Sequence, residues 1–169
     1  MKEFFEYIKS LIDASNLFGE VRLYNEQPDK MRSHSTRAIK RKSVFIELEV
    51  EETMNKLVGI NEFQLVMRCR IYNDNKKFSK LDDITLIENL NGILQNQNGG
   101  VDNVFRFTSL ERIFHDLDSD HDQISEPIID YRTRLTDYTG YRNRNMIEGT
   151  FANLTVNTEL VEEIETNDC

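Results

Sequence analysis

NVFRFTSLERIFHDLDSDHDQISEPIIDYRTRLTDY, residues 103–138, carries the pattern on which the fold turns. Phe105 and Phe107 alternate with Val104, Arg106 and Thr108, while Ile129, Tyr131, Thr133 and Leu135 alternate with Ile128, Asp130, Arg132 and Arg134. A period of two puts successive side chains on opposite faces of a pleated strand, so both stretches read as strands with one face toward a core and one toward water. Between them a loop carrying Asp116, Asp118, Asp120 and Asp122 reads as a solvated hairpin tip.

The same period recurs upstream. Val44, Ile46, Leu48 and Val50 alternate with Phe45, Glu47, Glu49 and Glu51, and Phe63, Leu65, Met67, Cys69 and Ile71 alternate with residues that include Arg68 and Arg70. Pairing these two strands would set carboxylates against guanidinium groups on the solvated face, each opposed pair contributing roughly 0.2 to 1 kcal/mol. Helical spacing appears twice. Phe4, Phe5, Ile8, Leu11 and Ile12 form one apolar stripe that Asn16 and Gly19 stop. Ser79 with Asp82 has the form of a capping box opening a second helix along Ile87, Leu90, Ile93 and Leu94, with Gly99 and Gly100 as its end. This order predicts an α+β fold, an antiparallel sheet of about four to six strands with both helices packed on one face. Residues 1–138 form the domain; 139–169 read as a C-terminal extension or arm, with Phe151, Leu154 and Val156 in a weak strand pattern and an acidic, base-free stretch from Glu159.

At 169 residues the chain is long enough to bury a core without a disulfide or a structural metal. Cys69 falls in an apolar strand and Cys169 is the last residue, which predicts no framework disulfide and a reducing compartment. No apolar run reaches the roughly 18 residues of a membrane span, and MKEFFEYIKSLIDAS mixes charge into its apolar pattern, so neither a span nor a signal peptide is expected. Lys and Arg number 21 against 30 Asp and Glu, a formal net charge of −9 that argues against general nucleic-acid binding. Against that background residues 30–42 stand out: Lys30, Arg32, Arg37, Lys40, Arg41 and Lys42 occur there without a single acid. This reads as a long exposed basic loop, with Arg32, Arg37, Lys40, Arg41 and Lys42 as the partner- or DNA-facing residues. Such a segment suits an acidic partner, either DNA or the acidic face of a neighbouring subunit.

The residues form no catalytic constellation. Asp116, Asp118 and Asp120 have the spacing of the first half of a calcium loop, but His121 stands where the loop needs Gly and Pro127 where it needs Glu. His34, His115 and His121 lack any zinc-ligand spacing, and Glu47 and Glu49 on a strand facing arginines are better explained as a paired solvated face than as a two-metal nuclease site. Phosphate-cradling, dinucleotide-binding and nucleophile-elbow motifs are missing. The expectation is a protein without catalytic residues, cofactor or metal.

Taken together, the amphipathic first helix, the long loop into a hairpin, the helix KLDDITLIENLNGILQ and the segment FTSLERIFHDLDSDHDQISEPIIDYRTRLTDY resemble the small neck and tail-completion proteins of tailed double-stranded DNA bacteriophages. The similarity is greatest to tail-terminator-like proteins of Bacteroidetes phages and covers residues 2–138, the best-matching piece ending in IIDYRTRLTD. It implies a non-enzymatic virion protein, made in the host cytoplasm, whose copies form a ring around the DNA channel and cap the tail or join it below the head connector. Its partners would be further copies of itself, neighbouring neck, connector or tail-tube proteins, and non-specifically the double-stranded DNA in the channel, but no membrane. The family's loop after the first strand reaches a neighbouring ring or the tail tube, and the matching positions here are Arg32, Arg37, Lys40, Arg41 and Lys42. The competing expectation is a soluble phage-encoded binding or inhibitory module whose acidic surface engages a basic partner.

Overall fold

The computed structural model describes residues 1–24, 42–57, 59–74, 80–117 and 124–140. The chain opens with helix α1 (Lys2–Ala14), then strands β1 (Val21–Leu23), β2 (Ser43–Leu57) and β3 (Ile60–Asp74), helix α2 (Lys80–Leu94), and strands β4 (Gly99–Val101), β5 (Phe105–Phe107), β6 (Glu111–Asp116), β7 (Ile124–Ser125) and β8 (Ile128–Asp137). The main sheet runs β1-β2-β3-β8-β5-β4, with β6 also on β8 and β7 on β3.

The α+β class holds, and three details differ from the sequence expectation. The sheet is mixed: β1 lies parallel to β2, with Val21 opposite Val44 and Leu23 opposite Ile46, while the other pairs are antiparallel. A parallel pair needs a crossover connection of about a dozen residues or more, and the chain from Tyr24 to Lys42 is long enough to supply it. Strands are also more numerous, eight segments among the described residues, in part because β5 and β6 share one edge of β8 in succession. Arg106 faces Thr136, and after a break at Thr108–Leu110 Glu111 faces Arg132. Finally, Gly99 and Gly100 do not end α2. The helix stops at Leu94, followed by Asn96 in the left-handed region (φ 62°), and the glycines form β4. Their role is close approach: a Cβ on Gly100 would sit 2.2 Å from the Phe105 carbonyl oxygen, and one on Gly99 would sit 2.8 Å from the Tyr7 hydroxyl.

The inner face of the sheet is the one that periodicity picks out. Val44, Ile46, Leu65, Met67, Cys69, Ile71, Phe105, Phe107, Ile129, Tyr131 and Leu135 are buried there against Phe4, Phe5, Ile8 and Ile12 of α1 and Leu86, Ile87, Leu90 and Leu94 of α2. Both helices therefore cover one face, each fully buried aliphatic or aromatic side chain stabilising the fold by about 1.5 to 3 kcal/mol. An aromatic cluster fixes α1 over β5, with Phe4 edge-on to Phe107 at 5.2 Å and Tyr7 edge-on to Phe107 at 5.6 Å between ring centroids.

One end of the core is polar. Asp83, in the first turn of α2 and 3% exposed, accepts hydrogen bonds from Asn73 Nδ2 at 2.7 Å and Ser125 Oγ at 2.6 Å. Asn73 and Ser125 face each other across the β3–β7 bridge. The carboxylate thus ties the helix start to the end of β3 and to the strand that follows the acidic loop.

Candidate functional site

The outer face of β2, β3 and β8 carries most of the charge that the sequence assigns to solvent. In register, Glu47 lies opposite Arg68 and Arg68 opposite Asp130, while Glu49 lies opposite Val66 and Val66 opposite Arg132. The ion pairs follow side-chain reach more than register. Arg68 makes a two-pronged contact with Asp130, Nε to Oδ1 at 3.0 Å and Nη2 to Oδ2 at 2.9 Å. That contact, with Glu47 and Glu49 nearby, strengthens the hold of the guanidinium on its proton. Glu47 is left to Arg70, at 3.4 Å, whose guanidinium also stacks over the Tyr24 ring at 4.6 Å. Glu51 accepts from Arg132 at 3.2 Å and from Gln64 at 3.0 Å, contacts that hold its carboxyl below the usual range.

The face is less wet than its alternation suggests. Phe45 is fully buried and Asp130 is 4% exposed. Asp130 tolerates burial because both oxygens are occupied by one guanidinium, the geometry that best offsets carboxylate desolvation.

Both sides of this sheet end in an open edge among the described residues. On one side β1 covers β2 only as far as Ile46, with Tyr24 N–H donating to the Ile46 carbonyl at 2.8 Å; beyond that point β2 pairs with β3 alone. That stretch carries Glu47, Glu49, Glu51 and Glu52 and a half-exposed Val50. On the other side β6 pairs with β8 alone, and its exposed residues include Ile113 at 43% and Phe114 at 49%. Register shifts mark both, between Val50 and Glu52 on β2 and between Arg112 and Phe114 on β6. Bulges and rows of charge guard an edge against indiscriminate strand addition. Where β5 gives way to β6, a shallow cleft of about 370 Å³ opens, lined by Gln64, Thr108, Ser109, Glu111, Arg132 and Arg134 among others.

Of the basic residues singled out by sequence, Arg32, Arg37, Lys40 and Arg41 lie outside the described residues. Lys42 is exposed beside the start of β2, in the left-handed region (φ 57°), its carbonyl accepting from Gly19 N–H at 3.1 Å. Asp118, Asp120, Asp122, His34 and His121 likewise lie outside, while Asp116 and His115 sit on β6 in solvent. Residues 141–169, nearly all of the predicted extension, are also outside the described set. Among the described residues no three His, Cys, Asp or Glu side chains converge as a metal site would require, and no helix is long and apolar enough to cross a membrane. Two features escaped sequence reasoning: β6 as a strand, and the Asn73–Asp83–Ser125 cluster. The second had a signal, since Asp83 stands in line with the inward stripe Ile87, Leu90 and Leu94.

No protein-family model matches this chain, and no curated protein sequence matches it.

Proposed function

We propose that the protein is a structural subunit whose work is done by mating surfaces: copies associate head to tail into a closed homo-oligomeric ring, placed at the neck of a tailed phage where it caps or joins the tail below the head connector. The observation that carries the assembly is that, among the described residues, one sheet has an open edge on each of two opposite sides. β2 presents Val50 beside a row of glutamates, and β6 presents Ile113 and Phe114. Two different surfaces on opposite flanks suit a heterologous contact, which closes into a ring when the rotation per subunit permits and then leaves no copy with an unused surface. Apolar side chains bracketed by charge are the composition expected of an interface that must also remain soluble before assembly. The place in the virion rests on the resemblance of residues 2–138 to neck proteins.

Light scattering coupled to gel filtration, followed by electron microscopy of the purified protein, tests this reading. The expected result is a single multi-copy species with a central opening. Protein that stays monomeric at high concentration and fails to bind tail tubes or connectors overturns it.

A further inference from the structure

We infer that β6 is a strap, anchored at both ends, that lifts from β8 as a unit while the rest of the domain stays folded. The inference concerns the single copy and does not depend on the ring reading.

Backbone bonding is what holds this strand. All six residues of β6 are exposed, so it adds none of the buried apolar side chains that fix β2, β3, β5 and β8 to the helices. Among the described residues none of its side chains makes a hydrogen bond or an ion pair. Its attachments are the ladder to β8 and the Arg112 N–H, which donates to Gln95 Oε1 at 3.2 Å. The ladder itself is broken by the register shift between Arg112 and Phe114. An exposed, interrupted ladder without buried side chains opens at lower free energy than a packed core.

The two ends are firm. Leu110 is fully buried, its N–H donating to the Gln97 carbonyl at 2.8 Å and its carbonyl accepting from Asn96 N–H at 3.0 Å, which pins the start of the strap to the turn after α2. Past the other end Leu117 packs against the core, and Ser125 is tied to Asp83. Opening is therefore confined to the residues between these anchors.

β8 holds its place without the strap. Every residue from Ile128 to Asp137 faces a partner on β3, and Ile129 and Tyr131 belong to the core that the helices cover. What opening bares is the second border of β8 over Ile128–Arg132, which becomes a free ladder in an otherwise native molecule.

Hydrogen–deuterium exchange resolved by peptide tests this, in full-length protein diluted until light scattering reports single copies. Amides of β6 are expected to exchange at least about a hundredfold faster than those of β3 from Leu65 to Arg70, which pairs on both sides, and to keep that rate as urea rises below the unfolding transition while β3 accelerates. Gln95→Ala, which removes the acceptor of the Arg112 N–H, is expected to quicken β6 further, by roughly two- to tenfold, and to leave β3 unchanged. β6 protected to the level of β3 with the same urea slope overturns the proposal, as does an equal quickening of both strands by Gln95→Ala.

Discussion

Asp83 shows how a single buried carboxylate governs its neighbours. Its oxygens are filled by Asn73 and Ser125, so removing it strands two buried partners, whereas an amide of the same shape retains some of the bonding. Asp83→Ala is expected to cost about 2 to 4 kcal/mol and Asp83→Asn distinctly less, read from urea denaturation midpoints. Cys69 offers a second check. Full burial raises its thiol well above the ordinary range, with Asp130 adding to the effect, so the thiolate is scarce and shielded. In native protein at pH 8 a thiol reagent should spare Cys69 and label it only after denaturant is added. Glu51 supplies a pH dependence. Arg132, then Gln64, lower its pKa in the folded state, so the stability it contributes is present above the unfolded value, about 4.3, and is lost as pH falls through the lower folded value. Thermal melts of Glu51→Gln should lie below those of the native protein at neutral pH and converge with them in that acid range.

At the scale of elements, the helices depend on the sheet. α2 has a buried stripe of Leu86, Ile87, Leu90 and Leu94 and contributes little unless that stripe is covered. Leu90→Ala at a fully buried position should cost about 2 to 5 kcal/mol by denaturant titration. The same elements show where the sequence was readable and where it was not. The alternation in β2, β3 and β8 located most of the inner face, because a period of two leaves little freedom once one face is apolar, but it also assigned Val50 inward, and Val50 is 42% exposed beside the register shift that follows it. It failed at β6, where Ile113 and Phe114 are adjacent and a bulge breaks the period. It also failed to show that Phe45 and Asp130 are buried, since alternation reports which face a side chain occupies and not how its neighbours cover it. The direction of β1 was equally silent, because three residues carry the same pattern whether they run parallel or antiparallel. For the candidate surface, sequence supplied the glutamates but could not say which of them are bonded: Glu47 pairs with Arg70 and Glu51 with Arg132, a matter of side-chain reach more than of register.

For the molecule as a whole, β8 is the strand on which closure depends. It pairs with β3 along one edge and with β5 and β6 along the other, and Arg68 meets Asp130 across 62 positions of sequence. Long-range pairing of this kind is paid for in loop entropy before any contact rewards it, so folding should be slower than for a helical chain of the same size. During synthesis the β2–β3 hairpin emerges well before the strand that seals it, leaving β3 with an open ladder while the ribosome is still at work. A nascent chain stalled before residue 128 would present that ladder to any passing copy, and the late arrival of Ile128–Asp137 is what commits the polypeptide to its own fold instead of to aggregation.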